Sequence, residues 1–269
     1  MEDYIKHNQR AWDQQVANKN QWTIPVSSED IAQARLGNWE VRLTPWRAVP
    51  RNWFPDLHGI DILCLASGGG QQAPVFAAGG ANVVVLDISP EQLKQDEKTA
   101  RQNDLIIETI LGDMSDLSCF PDHRFDLVFH PVSNCFIRNV HPVWRETCRV
   151  LKSKGILLSG FANPVLYLFD DSDSQNINPI EVKNRIPYSD LDTLTENQKK
   201  EYSEKGYPYE FGHTLEDQIS GQLEAGFVIT GFYEDKHHLK DHPLYTYIST
   251  FAATRAIKVD RSDQIRMPL

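Results

Sequence analysis

The chain has 269 residues, 41% hydrophobic and 24% charged, the balance of a globular chain long enough for one large domain or two small ones. Its 37 acidic and 27 basic residues give a formal net charge of −10, a surface that repels phosphate backbones and argues against a nucleic-acid partner. No apolar run reaches membrane-spanning length and the opening MEDYIKHNQRAW lacks a signal-peptide pattern, so no membrane partner is expected.

Residues 2–18 read as a polar helix with Tyr4, Ile5, Trp12 and Val16 as sparse apolar positions. Ser27 ahead of Glu29 and Asp30 marks the cap and acidic first turn of a second helix, running to about Leu36 and ended by Gly37. Residues 38–59 hold three prolines and three tryptophans without a steady period, and read as an irregular strap. The whole of 1–58 is thus a helical, tryptophan-rich extension. Trp12, Trp22, Trp39, Trp46 and Trp53 either pack it onto the domain or roof a pocket.

The stretch from Ile60 to Asp87 is the most informative. Ile60, Ile62, Leu63, Cys64 and Leu65 make a short buried strand, followed by the turn Ala66-Ser67-Gly68-Gly69-Gly70. A small-residue helix then runs from about Gln71 to Ala78, and Val83 to Leu86 form a second strand ending at Asp87. Strand, glycine turn, helix, strand and acid in this order are the grammar of a nucleotide-binding unit. Glycine permits the close backbone approach that a bulky cofactor needs. Asp87, about 20 residues beyond Gly68, stands where a carboxylate can accept from both hydroxyls of a ribose. Read as Gly68-x-Gly70-x-x-Ala73, the loop also fits an NAD fingerprint.

Ser89, Pro90 and Gln92 signal a capping box and a helix to about Gln102. Strands follow at Ile106–Ile110, leading into Gly112-Asp113-Met114, and at Phe125–Phe129, leading into His130-Pro131-Val132-Ser133-Asn134. Pro142 opens a helix with Val143, Trp144, Thr147, Cys148 and Leu151 on one face, basic Arg149, Lys152 and Lys154 at its end, and Gly155 closing it. Residues 156–161 are a fifth buried strand. This alternation predicts an α/β fold whose parallel sheet is covered on both faces, with the ligand at the carboxyl ends of the strands. Those ends carry Ser67 to Gly70, Asp87, Asp113 and His130 to Asn134.

Residues 165–213 interrupt the pattern and read as a lid at the ligand end, with a possible strand at 180–186 and a short polar helix at 195–204. Tyr188, Tyr207, Tyr209 and Phe211 supply either substrate contacts or packing within it. Thr214 caps a helix with Leu215, Ile219 and Leu223 in register, and Phe227–Tyr233 and Tyr245–Thr254 are the last two strands, expected antiparallel. His238 and His242 are spaced for one helix face, but without a third ligand they read as a solvated turn, and no metal is expected. Cys64, Cys119, Cys135 and Cys148 show no paired spacing, which fits reduced thiols and a cytoplasmic location. The sequence carries no signal of oligomeric state.

As a set, Leu63-Cys-Leu-Ala-Ser-Gly-Gly-Gly70, Asp87, Gly112-Asp113-Met114, Phe125-Asp-Leu-Val128 and Arg149-Val-Leu-Lys-x-x-Gly155 resemble the class I S-adenosylmethionine-dependent methyltransferases, over Ile60 to Phe161. The resemblance implies a seven-stranded, doubly wound, mostly parallel Rossmann-like sheet with an antiparallel last strand, its core formed by 60–164 and 214–257. It implies S-adenosylmethionine as cofactor. Asp87 would hold the ribose, Asp113 and the Met114 backbone the adenine, and the Ser67–Gly70 backbone the methionine moiety. Ala66, Gln72, Ile88, Gly112 and His130 complete the expected cofactor contacts. Cys64 and Ala66 depart from the family pattern, which often has an acid and a glycine there, so the motif does not name the group that holds the cofactor's ammonium. A small-molecule methyl acceptor is expected. His130, where related enzymes meet the acceptor, is the candidate general base, extended by Pro131 and with an ordinary pKa near 6.5, or it packs at the strand end. Asn134 is the second candidate, as an orienting group, with Ser133 behind it. An NAD-linked oxidoreductase and a non-catalytic binding domain are the competing readings.

Overall fold

A computed structural model describes residues 3–169, 181–236 and 244–259. Helices α1 (Asp3–Ala17) and α2 (Ser28–Arg35) precede β1 (Asp61–Leu65), α3 (Ala73–Ala78), β2 (Asn82–Asp87), α4 (Pro90–Gln102) and β3 (Ile107–Leu111). Then come β4 (Phe125–His130), α5 (His141–Val150) and β5 (Leu151–Ala162). The insertion holds β6 (Tyr188–Ser189), α6 (Asp190–Thr193), α7 (Glu196–Lys205) and β7 (Phe211–Gly212). The chain closes with α8 (Leu215–Ala225), β8 (Phe227–Asp235), α9 (Leu244–Tyr247) and β9 (Phe251–Lys258).

Seven strands form one sheet in the order β3-β2-β1-β4-β5-β9-β8. β1 to β5 run parallel, and β9 inserts antiparallel between β5 and β8. The last strand in sequence is therefore internal, and β8 is the edge. Both faces of the central strands are buried. Ile62, Cys64, Val83, Val85, Leu127 and Phe129 pack against Ala34 of α2, Phe76 of α3 and the strap residues Val41, Leu43 and Trp53. Their neighbours Leu63, Leu65, Val84, Leu86 and Val128 pack on the other side against Val143 and Trp144 of α5. Period-two alternation between two buried layers is what makes these strands continuously apolar.

Four expectations shift. The helix α5 ends at Val150 rather than at Gly155: Leu151 already pairs with Phe125, and Lys154 takes a left-handed turn (φ 62°). Lys152 consequently serves the sheet, its Nζ lying 2.9 Å from Asp61 and 2.8 Å from Asp126. The expected strand from Tyr245 starts six residues later, at Phe251, because Ala252, Ala253, Thr254 and Ala256 fill the buried slot between β5 and β8. The apolar spacing on α8 points outward, leaving Leu215 and Leu223 exposed, whereas Gln218, Gly221 and Gln222 are buried. Gly221 lies against the Trp144 indole, where a Cβ would stand 2.7 Å from the ring. Residues 181–186 form no strand; Ile180 lies outside the described residues, as do His238 and His242.

The strap is tied across the ligand end of the sheet. Leu43 accepts the Val132 N–H at 2.9 Å, and its carbonyl passes so close to Gly160 that a Cβ there would sit 2.1 Å away. Helix α1 reaches over the same end: Gln9 donates to the Ile88 carbonyl at 2.8 Å, and buried Asn8 donates to Tyr209 and Phe136.

Candidate active site

The glycine turn is shaped by left-handed backbone at Ala66 (φ 48°), Gly69 (φ 108°) and Gly70 (φ 73°). Asp87, at the end of β2, binds it from below. Its Oδ2 accepts the Gly68 N–H at 2.9 Å and its Oδ1 accepts the Ser89 N–H at 3.0 Å. A Cβ on Gly68 would approach Gln92 Cβ to 2.8 Å and Asp87 Oδ2 to 3.0 Å, so only glycine fits this approach. Burial raises the Asp87 carboxyl above its ordinary value, against the pull of the Ser89, Gly68 and Ile88 amides; Asp13 adds to the rise.

Two residues of α4 complete the turn, and the sequence reading missed both roles. Gln92, expected to close the capping box, donates its N–H to Ser89 Oγ at 3.1 Å, and its side chain does not return the bond. Its own amide turns towards Gly69, with Oε1 buried and without a partner. Asp96 is fully buried and its Oδ2 accepts the Gly69 N–H at 2.9 Å. Burial first, and repulsion from Asp87 second, push its pKa up to about 8, while the Gly70 and Gly69 amides pull the other way. Burial first, and the neighbouring Asp96 second, also raise the Cys64 thiol well above the usual range. A carboxyl thus stands beside the loop although β1 carries a cysteine. The available signal was an acid on the apolar face of α4, in step with Leu93 and Ala100.

Above the turn lies a cleft of about 1930 Å³. Of the expected cofactor contacts, Ala66, Ser67, Gly68, Gln72, Asp87, Ile88 and Met114 line it. Gly69 and Gly70 stand behind them, facing α4. Gly112 and Asp113 are set back: the Gly112 N–H donates to the Asp87 carbonyl at 3.0 Å, and Asp113 Oδ1 accepts from the Ser115 N–H and hydroxyl, both at 2.8 Å. Trp12, Trp22, Trp39 and Trp46 wall the cleft, whereas Trp53 belongs to the core. From the insertion, Tyr188 and Tyr207 face the cleft, while Tyr209 and Phe211 pack with Tyr4. Ser67 Oγ and Gln92 Oε1 are buried polar atoms on the cleft wall with no partner. Together with the room that Gly68 leaves and the carboxylate of Asp87, they fit a ribose-bearing polar cofactor.

The two expected acceptor-side residues do not reach the cleft. His130 is fully buried, its Nδ1 3.0 Å from the Leu65 carbonyl oxygen and its ring edge-on to Trp144 at 6.1 Å. Burial drives its pKa down to about 4, the Leu65 bond opposing, so the ring is neutral at pH 7 with Nε2 enclosed. Strand alternation accounts for this placement: Phe129 faces the strap side and His130 the α5 side. Asn134 is fully buried too, its Nδ2 donating to Gln218 Oε1 at 2.9 Å and its carbonyl accepting from His213 at 3.0 Å. Pro131, Val132, Ser133, Cys135 and Phe136 are the residues after β4 that line the cleft. Among the described residues, no three acidic, histidine or cysteine side chains are grouped to hold a metal.

A family model described as a methyltransferase domain matches residues 63–159. The curated uncharacterized methyltransferase YbaJ of Bacillus subtilis strain 168 is 51% identical over 260 residues, covering 96% of this chain and 100% of that one. An S-adenosylmethionine-dependent methyltransferase from Mesorhizobium loti superposes with a TM-score of 0.60 at 18% identity, over 77% of this chain and 95% of its own. One from Methanosarcina mazei gives 0.52 at 17% identity, over 77% and 95%. The structures share the fold, and the half-identical relative shares nearly the whole chain. The protein belongs to the methyltransferases, and its fold is that of the class I S-adenosylmethionine-dependent enzymes.

Proposed function

We propose that this enzyme binds S-adenosylmethionine over the glycine turn and methylates a small molecule held in the same cleft. The observation that carries this reading is the turn itself, where Asp87 and two unpartnered buried atoms, Ser67 Oγ and Gln92 Oε1, meet at the strand ends. Asp87 receives the ribose, Ile88 and Met114 flank the adenine, and the Ser67–Gly68 backbone takes the methionine end. When bound, the cofactor supplies an electrophilic methyl group on a sulfonium. The chain's part is then to align the acceptor and exclude water, which the tryptophan and tyrosine walls support. A cleft walled by aromatic side chains and the net charge of −10 favour a small acceptor over nucleic acid. The free cysteines fit a reducing compartment, and we place the enzyme in the cytoplasm.

The test is transfer of label from methyl-labelled S-adenosylmethionine to the small molecules of a cell metabolite extract. Label recovered only on protein or nucleic acid would overturn the small-acceptor reading. In the same assay His130→Gln is expected to keep kcat within about tenfold of wild type, because the ring does not reach the cleft. A loss of ~10²–10⁴, with cofactor binding intact, would restore a general base at this position.

A further inference from the structure

We propose that the part of the cleft away from the glycine turn is built for a cationic nitrogen compound, an amine or a quaternary ammonium. The proposal rests on the methyltransferase reading for there being a second ligand at all. Space for one exists, since about 1930 Å³ exceeds the roughly 300–1,000 Å³ of a pocket for one ligand.

Charge sets the class. Among the described residues, the insertion lines the cleft with the carboxylates of Asp190, Glu201 and Glu210 and with no lysine or arginine; the one guanidinium in the whole lining is Arg42. Arg42 is itself paired with Glu40, near the turn rather than at the far end. An anionic acceptor would be repelled here, and a neutral one would leave the field unused.

Aromatic geometry agrees independently. Tyr167 and Tyr188 stack with centroids 5.3 Å apart and planes at 18°. The Tyr167 hydroxyl donates to Glu210 Oε2 at 2.8 Å, and the Tyr188 hydroxyl donates to Asp190 Oδ1 at 2.7 Å. Asp190 is almost fully buried, and its other oxygen accepts the Glu210 N–H at 2.7 Å. A phenol that donates to a carboxylate has an electron-rich ring, so the face it offers attracts a cation more strongly. Stacked tyrosines tied at both hydroxyls to carboxylates are a rigid cation receptor. Cys135, beside Tyr167 and Glu210, joins this receptor to the end of β4 and hence to the cofactor half. Tyr202 and Tyr207, in edge contact at 5.6 Å, extend the aromatic wall.

The experiment is calorimetry on the full chain saturated with S-adenosylhomocysteine, using benzyltrimethylammonium, which cannot be methylated, against benzyl alcohol and phenylacetate. The ammonium should bind at least about tenfold more tightly than either, and Glu210→Gln should weaken it by about tenfold while S-adenosylhomocysteine still binds. Equal binding of the alcohol or the carboxylate, no binding of the ammonium, or an unchanged preference in Glu210→Gln would overturn the proposal. Should Glu210→Gln fail to fold, Tyr188→Leu replaces it with the same expected loss. Failure of S-adenosylhomocysteine to bind would strike the methyltransferase reading instead, and the three probes on the free protein would then decide the cleft's preference.

Discussion

Asp87→Ala should lower affinity for S-adenosylhomocysteine by about a hundredfold, read by calorimetry on the full chain. The carboxylate already holds two backbone amides, Gly68 and Ser89, and these fix the turn against the end of β2. Asp87 also lines the cleft, where the ribose hydroxyls would donate to its carboxylate. A hydrogen bond to a charged group contributes about 1.5–3 kcal/mol, and losing two with a loosened turn gives about 3 kcal/mol, or a hundredfold. Asp87→Asn keeps an acceptor oxygen and should lose less. Unchanged affinity in Asp87→Ala would move the ribose contact elsewhere.

Asp96→Asn should remove a loss of stability that the wild type suffers as pH rises. The folded-state pKa of Asp96 is about 8, against an ordinary 3.8, so between these values the folded chain keeps a proton that the unfolded chain releases. Stability therefore falls as pH climbs through that window, and above pH 8 the buried charge costs on the order of a few kcal/mol. Asparagine offers Gly69 the same acceptor without the charge. The gap in melting temperature between variant and wild type should widen from pH 5 to pH 8.5. His130 acts in the opposite sense: its pKa, lowered to about 4, gives stability that is present above about 6.5 and lost on acidification. Comparing Asp96→Asn with wild type cancels that contribution. Parallel curves for the two proteins would mean that Asp96 is ionised throughout.

The readable part of the molecule was local. The turn and strand from Ile60 to Asp87 announced themselves because glycine spacing and an acid at the strand end are both written in consecutive residues. Helix α4 begins and ends where Ser89, Pro90 and Gln102 place it, since caps act within one turn. The order of features from Leu63 to Gly155 gave the sheet, as the strand order bears out. Partners far along the chain decided the rest. The buried face of α8 is set by Trp144 and Thr254: Trp144 Nε1 donates to the Asp217 carbonyl at 2.9 Å, and Thr254 Oγ1 donates to Gln222 Oε1 at 3.0 Å. No spacing of leucines could report these contacts. At His130, Pro131 fixes an extended backbone but not which side of the sheet the ring takes, and one residue of alternation separates the two faces. Asp96 was hidden for a related reason. Its acid sits on a helix that reads as amphipathic, and only the glycine turn folded above it gives that carboxyl a role.

The most direct measurement of the central claim compares two cofactors on one protein. Calorimetry of the full chain with S-adenosylhomocysteine and with NAD, in the same buffer, separates the two nucleotides that a glycine turn with an acid at the second strand could serve. Saturable binding of S-adenosylhomocysteine, and none of NAD, is the expected result. Tighter binding of NAD would contradict it.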